Sequence, residues 1–321
     1  MTQRPLVSVV IPTRDRCRRL IVSLQSARAQ RDVQLEVVVI DDGSQDDTAM
    51  MVSALSDHRV RLVRNVSPTG ESGARNRGIA EANGDWVAFL DDDDLWAPDK
   101  LRRQVEALQA TGRQWAYAGE VMVDESLRIL YGAPPPAPEE VLEALPRHNS
   151  VPAGASNVIV SRKLLSQVGA FDPGLKRTAD WDMWLRLARM GGPPACVSEP
   201  LVAICIHPGN MSRDMRTMFR ELDVIARRYA IPVDRARHYR WAAWGALQDD
   251  QRWRAVSLYG RAIAAGDISS VGRAAVALIG PPGRRQLHQS QSFWMLEARA
   301  WIDEITRGGL ASAFDGANGH N

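Results

Sequence analysis

The chain has 321 residues, 45% of them hydrophobic and 24% charged, enough to bury a sizeable core and to build two domains. Lysine and arginine number 40 against 38 acidic residues, so the formal charge of +2 gives no global reason to expect nucleic acid or an anionic membrane as partner. Three cysteines, Cys17, Cys196 and Cys205, are odd in number and lack CxxC spacing, which indicates neither a disulfide framework nor a zinc site.

The N-terminal MTQRPLVSVVIPTRDR has an apolar run too short to span a bilayer and no cleavage site after a long hydrophobic region, so a cytoplasmic chain is expected. From residue 6 to about 130, short β-branched runs alternate with helical patterns, the pattern of a mostly parallel sheet flanked by helices. LVSVVI (6–11), LEVVVI (35–40), VRLV (60–63) and WVAFL (86–90) read as strands. Leu20, Ile21, Leu24 and Ala27 recur at helical spacing, and 48–55 and 73–82 supply further helices. Ligands of such sheets bind beyond the carboxyl ends of the strands, so Pro12 to Asp15, Asp41 to Ser44 and Asp91 to Asp94 should face one crevice.

GAPPPAP (132–138) reads as a surface loop, because proline removes a donor and restricts the residue before it. A strand near 157–160, a helix from Arg162 and a stronger helix over 181–190 follow, and the first domain is expected to occupy 1–213. Residues 214–321 lose the alternation and read as an α-helical C-terminal domain, with apolar side chains at three- and four-residue intervals. WRAVSLYGRAIAAGD is loosely similar to one tetratricopeptide unit, but no second copy occurs at a fixed period. The tail GGLASAFDGANGHN is expected to fray.

The stretch FLDDDDLW (89–96) sets four carboxylates in a row between apolar residues, which pins the charge at a strand end. Closely spaced carboxylates raise one another's pKa unless a cation neutralises them, and hard oxygen ligands suit Mg²⁺ or Mn²⁺. Mg²⁺ commonly uses one or two carboxylates plus substrate phosphates, so the missing ligands are expected from a diphosphate. A Ca²⁺-binding module without catalysis is the contrasting reading, although the DxDxDG spacing of an EF-hand is absent.

VSVVIPTRDR, VVVIDDGSQDDT, GARNRGIAEANGDWVAFLDDDDLWAPDKL and ADWDMWLRLA, in that order over about residues 6–210, resemble an inverting GT-A glycosyltransferase of the family 2 group. The resemblance implies a GT-A fold, a Rossmann-like, mostly parallel sheet with flanking helices. It also implies a nucleotide-sugar donor, a UDP-sugar foremost, a hydroxyl-bearing acceptor and a bound Mn²⁺ or Mg²⁺.

By this match Pro12 and Thr13 lie along the nucleoside and Asp42 accepts from the base, while an Asx-turn or helix cap is its structural alternative. Asp41 is assigned that structural role. Asp15 stands where the family commonly has Asn, and is placed with the donor. Asp91, Asp92 and Asp93 occupy the DxD position, Asp93 as the direct metal ligand and Asp91 or Asp92 orienting the ribose or the metal's waters. Arg75 meets the diphosphate or base, or is a surface helix cation; Asn76 is assigned to packing.

Asp180 matches the general base that deprotonates the acceptor, with an N-cap as its alternative. Ala179 replaces the usual Glu, which keeps open a GT-A-like module that binds nucleotide without transfer. Asp182 is a second candidate base, and Trp181 or Trp184 offers an aromatic face to an acceptor sugar. His207 falls where many members carry a His that reaches the diphosphate or metal, and is otherwise structural.

Beyond residue 215, Trp241, Trp244, Trp253, Trp294 and Trp301 are expected to form a core between helices. The helices are expected to contribute to acceptor access or self-association. FWMLEARAWIDEI keeps open a peripheral position at the inner face of a membrane, against which its acidic Glu297, Asp303 and Glu304 argue.

Overall fold

A computed structural model of the protein describes residues 5–207, 215–248, 250–279 and 292–307. The expected boundary at 213 and the expected frayed tail lie outside these. The described elements run β1 (Leu6–Thr13), α1 (Cys17–Arg28), β2 (Gln34–Asp41), α2 (Thr48–Ser53), β3 (Val60–Arg64), α3 (Gly70–Glu81), β4 (Trp86–Phe89) and β5 (Leu95–Trp96). Then come α4 (Lys100–Thr111), β6 (Trp115–Val123), β7 (Ile129–Ala133), α5 (Pro138–Ala144), α6 (Gly154–Asn157), β8 (Ile159–Ser161), α7 (Arg162–Val168), α8 (Ala179–Gly191) and β9 (Ala195–Cys205). Five helices follow: α9 (Met215–Tyr229), α10 (Arg235–Gln248), α11 (Arg252–Ala264), α12 (Ser270–Ile279) and α13 (Ser292–Arg307).

The strands form one mixed sheet in the order β3-β2-β1-β4-β8-β6-β9-β5, with β7 on β6. The half built from β1 to β4 is parallel, Leu6 lying beside Gln34 and Thr13 beside Asp41. Alternate residues of β1 enter opposite layers: Val10 packs with Phe89, Trp115 and Trp184, and Val9 and Ile11 pack with Leu20, Leu24 and Trp96. The buried side chains of these two layers hold the helices on the sheet, a fully buried Val, Leu, Ile or Phe contributing about 1.5–3 kcal/mol.

Two boundaries differ from expectation for identifiable reasons. Helix α3 starts at Gly70 and not 73, because the Asp42 carboxylate accepts the N–H groups of Thr69 and Gly70 that would otherwise be orphaned. The strand expected at 157–160 is delayed by α6. Asn157 leaves the ladder and its amide brackets Ala118, accepting from its N–H at 2.8 Å and donating to its C=O at 2.6 Å.

The C-terminal helices divide. Helix α9 buries Met218, Leu222 and Ile225 in the same layer as β4 and α8. Helix α13 buries Ala298, Trp301, Ile302 and Ile305 against β6 and β9, with Trp294 lying over Gly119 and Gly132, where any side chain would collide with it. Only α10, α11 and α12 make a cluster of their own, around Ala243, Ala255, Leu258 and Tyr259. The expected tryptophan core is therefore corrected: Trp301 is buried, whereas Trp241 and Trp253 are exposed. No helix among the described residues is long and apolar enough to cross a membrane.

Candidate active site

The carboxyl ends of β1, β2 and β4 open on a cavity of about 1080 Å³, lined by Pro12, Thr13, Asp42 and Asp91 to Asp94. It is also lined by Asp180 and Trp181 from α8 and by Met218, His238 and Trp241 from α9 and α10. Asp15 does not line it. At φ 53° Asp15 closes the β1–α1 turn, accepting from Gln45 N at 2.7 Å, so the donor contact expected of it is replaced by a loop-to-loop tie.

The four consecutive carboxylates divide their partners, with Arg16 shared by Asp92 and Asp93. Asp91 pairs with Arg75 Nη2 at 2.5 Å. Asp92 accepts from Thr13 Oγ1 at 2.7 Å and from Arg16 Nη1 at 2.9 Å, and Arg16 reaches Asp93 at 3.1 Å. Asp93 also receives His207 Nε2 at 2.9 Å, while Arg19 Nη1 lies 2.9 Å from Nδ1 of the same ring. Asp94 is turned inward to Ser156 Oγ at 2.5 Å and the Cys205 N–H at 3.1 Å, a brace between β4 and β9.

Two arginines therefore already offset much of the repulsion that the sequence presents. The remainder is unevenly spread. Burial, then the Asp93 charge, pushes Asp92 up to about 6. Burial would also raise Asp93, but the His207 hydrogen bond and the Arg16 charge outweigh it and hold the group below the usual carboxylate range. Asp94, buried beside Asp93 and Asp91, is raised well above that range.

Asp42 sits at the cavity edge with both oxygens engaged, by Asn65 Nδ2 at 2.7 Å and by the N–H groups of Thr69 and Gly70. Its structural part is to fix the start of α3. Asp41 forms the expected turn, accepting from Ser44 N at 2.7 Å. Arg75 is no surface cation: it is buried, pairs with Glu71 one turn back as well as with Asp91, and stacks 5.5 Å from the Phe171 ring centroid. Asn76 packs as expected, donating to Phe171 O at 2.8 Å.

Asp180, in the first turn of α8, accepts from Asn149 Nδ2 at 2.8 Å and from its neighbour Trp181 N. Gly154, at φ +51°, faces it so closely that a Cβ there would stand 3.2 Å from Asp180 Oδ2. Burial raises the Asp180 pKa against the pull of Arg75. A raised carboxylate that still has an open side is a better proton acceptor than an exposed one.

Two expectations on α8 are corrected. Asp182, 1% exposed, faces away from the cavity and is held by Arg186, by Arg228 at 2.7 Å and by the Tyr229 hydroxyl at 2.7 Å, so it ties α8 to α9 and is out of reach of an acceptor. The Trp181 indole is buried, donating to Leu145 O at 2.8 Å, and His238 packs against it, which leaves no free face for a sugar; Trp184 is equally buried.

Four residues of the site were not expected from the sequence: Arg16, Glu71, Glu120 and Asn149. Arg16 and Glu71 had a readable signal, an arginine three residues past Thr13 and an acid at i−4 from Arg75. Glu120, on β6 in the cavity wall, is pushed by burial up to about 7, and nothing in its strand context announced it.

No group of three or more metal-ligating side chains surrounds a common point among the described residues. Asp93 and His207, a carboxylate and an imidazole in contact, with Asp91 in the same run, fit a divalent ion that draws its remaining ligands from phosphate and water.

These features, a parallel βαβ half-sheet whose strand ends open on a cavity lined by an acidic run and by the Asp180 carboxylate, define a GT-A-like site. The glycosyl transferase family 2 model matches residues 8–166. Succinoglycan biosynthesis protein ExoO of Rhizobium meliloti (strain 1021) is 33% identical over 244 residues, 71% of this chain and 70% of the relative. An Escherichia coli relative, UDP-Glc:alpha-D-GlcNAc-diphosphoundecaprenol beta-1,3-glucosyltransferase WfgD, is 32% identical over 130 residues, 40% of this chain and 51% of its own. Among solved structures, S. aureus TarS 1–349 in complex with UDP superposes with a TM-score of 0.55 at 16% identity, covering 85% of this chain and 86% of that one. Mannosyltransferase PcManGT from Pyrobaculum calidifontis, in complex with GDP-Man and Mn²⁺, gives 0.54 at 20% identity, covering 97% and 88%. The chain belongs to glycosyl transferase family 2 and is a glycosyltransferase.

Proposed function

We propose that the protein transfers a sugar from a UDP-sugar to an acceptor hydroxyl in one displacement with inversion, and that it requires Mn²⁺ or Mg²⁺. The observation that carries this reading is that the Asp180 carboxylate lines the same cavity as the Asp91 to Asp93 run. The nucleoside lies along Pro12, Thr13 and the Asp42 edge, and the diphosphate meets Arg75 and Arg16. Asp93 and His207 would hold the metal ion, with Asp91 and Asp92 orienting its waters or the ribose. The bound ion supplies Lewis-acid stabilisation of the charge that grows on the departing diphosphate.

Asp180 accepts the proton of the acceptor hydroxyl as the oxygen bonds to the anomeric carbon, and the bond from that carbon to the diphosphate oxygen breaks, releasing the nucleoside diphosphate. Asn149 keeps the carboxylate aimed, and the bare Cα of Gly154 leaves room beside it. Ala179 is buried and presents no second carboxylate beside Asp180 on α8. The WfgD name places a sugar on a diphosphoundecaprenol-linked saccharide. A lipid-linked saccharide is the acceptor class we propose here, reached from the cytoplasmic side of a membrane. The chain divides its labour, residues 1–213 binding the donor and 214–321 bordering the acceptor side.

The test is turnover of UDP-, GDP- and dTDP-sugars with Mn²⁺, followed by NMR of the product's anomeric configuration. Transfer with retention, or transfer undiminished by chelation, would overturn the mechanism.

A further inference from the structure

Helices α10, α11 and α12 have a surface unlike that of the rest of the chain. Residues 235–279 contain seven arginines, three aspartates and neither lysine nor glutamate, whereas the whole chain is nearly balanced. Arg240 pairs with Asp267 at 2.8 Å, Arg252 with Asp250 at 3.9 Å and Arg235 with Asp223 of α9, which leaves Arg237, Arg254, Arg261 and Arg273 outside these ion pairs. The same unit carries Trp241, Trp253, Ile268, Val271, Val276 and Leu278, six of the eleven large apolar side chains exposed among the described residues; Trp253 and Ile268 are each 79% exposed.

Helix α12 shows the inversion most clearly. Its exposed positions are Val271, Gly272, Arg273, Ala275, Val276 and Leu278, so its outward side is apolar and its one charge is an arginine. Single exposed apolar residues need no explanation, but their concentration with arginine on one small unit does. The acidic residues Glu297, Asp303 and Glu304, which argued against an anionic surface, belong to α13. That helix spends Trp301, Ile302 and Ile305 on the sheet, so it is not the element in question.

We propose that the α10–α12 unit is a docking surface for an anionic lipid bilayer. Trp253, Ile268, Val271 and Leu278 enter the headgroup boundary, and the exposed Arg254, Arg261 and Arg273 meet lipid phosphates. Charge complementarity selects this occupant: a second copy of the chain in a self-complementary contact would set the same arginines against one another. Arg237, His238 and Trp241 of α10 border the cavity, so docking brings its mouth to the bilayer. That last consequence rests on the proposed transfer to a lipid-linked acceptor; the docking itself does not.

The full-length protein is floated with vesicles of phosphatidylcholine alone and with vesicles that include phosphatidylglycerol, at low and high salt. Binding is expected only with phosphatidylglycerol, weakened by salt, and reduced by about tenfold or more in both Trp253→Ser/Ile268→Ser and Arg254→Glu/Arg261→Glu, with the thermal midpoint retained. Absence of binding at low salt overturns the proposal, as does binding that both variants keep. A concentration-dependent dimer in lipid-free solution that the same substitutions abolish would assign the face to a second copy instead. Transfer to a water-soluble acceptor, followed in parallel, reports on the proposed reaction separately.

Discussion

His207 Nε2 stands 2.9 Å from the Asp93 carboxylate, joining the end of β9 to the end of β4 across 114 sequence positions. Asp93 is thereby held charged in a buried setting, with Arg16 as its second support. Asp93→Asn and His207→Ala are each expected to lower Mn²⁺-dependent UDP affinity by about 10–100-fold, as loss of a ligand or its orienting partner does. Calorimetric titration with and without Mn²⁺ measures this. Unchanged metal dependence in both variants would remove these residues from the proposed metal site.

Much of this arrangement was legible because β-branched runs and their polar ends follow period-two rules that local sequence obeys. Thr13, Asp42 and Asp91 to Asp93 reach one cavity as the strand-end argument requires. What escaped depends on partners far away in sequence. Asp182 and Asp180 are two residues apart and look alike in ADWDMWL, yet Arg228 and Tyr229 from α9 claim one and Asn149 the other. Trp181 and Trp253 likewise have no local feature that separates a buried indole from an exposed one.

That pair of aspartates gives a direct contrast. Asp180→Asn keeps the shape and, through its one amide oxygen, the hydrogen bond from Trp181 N, but cannot take a proton, so transfer should fall by about 10²-fold or more with donor affinity little changed. Asp182→Asn should leave turnover within a few-fold of wild type while lowering stability by roughly 2–4 kcal/mol, because Arg186 and Arg228 lose their buried carboxylate. Turnover and urea unfolding on the same two variants check both. The reverse pattern would hand the base role to Asp182.

Arg75 holds Glu71 and Asp91 together beneath the proposed diphosphate position. Burial, opposed by the Arg75 charge, still pushes Glu71 up to about 7. Arg75→Met removes the cation that pairs with both acids and should cost about 3 kcal/mol in denaturant unfolding, since breaking one side of a buried pair leaves charge uncompensated. Arg75→Met/Glu71→Gln should recover part of that loss. If the double variant is no more stable than the single one, the penalty lies in lost packing against Phe171 and not in charge.

Glu120 offers a test in pH. Burial in the wall of β6 pushes its carboxyl up to about 7, above the ordinary value of 4.5 that the unfolded chain has. The folded state therefore binds this proton more tightly than the unfolded state does. The favourable contribution is fully present below about pH 4.5 and is lost as pH rises through about 7, where the folded protein must keep a buried carboxylate charged. Glu120→Gln removes that ionisation, so the variant should be more stable than wild type at pH 8, by roughly 1–3 kcal/mol, with the gap closing toward pH 5. Urea unfolding across this range measures the gap. A constant difference between the two proteins at every pH would show that Glu120 does not titrate in it, and that its oxygens are solvated or paired more fully than its place in the cavity wall implies.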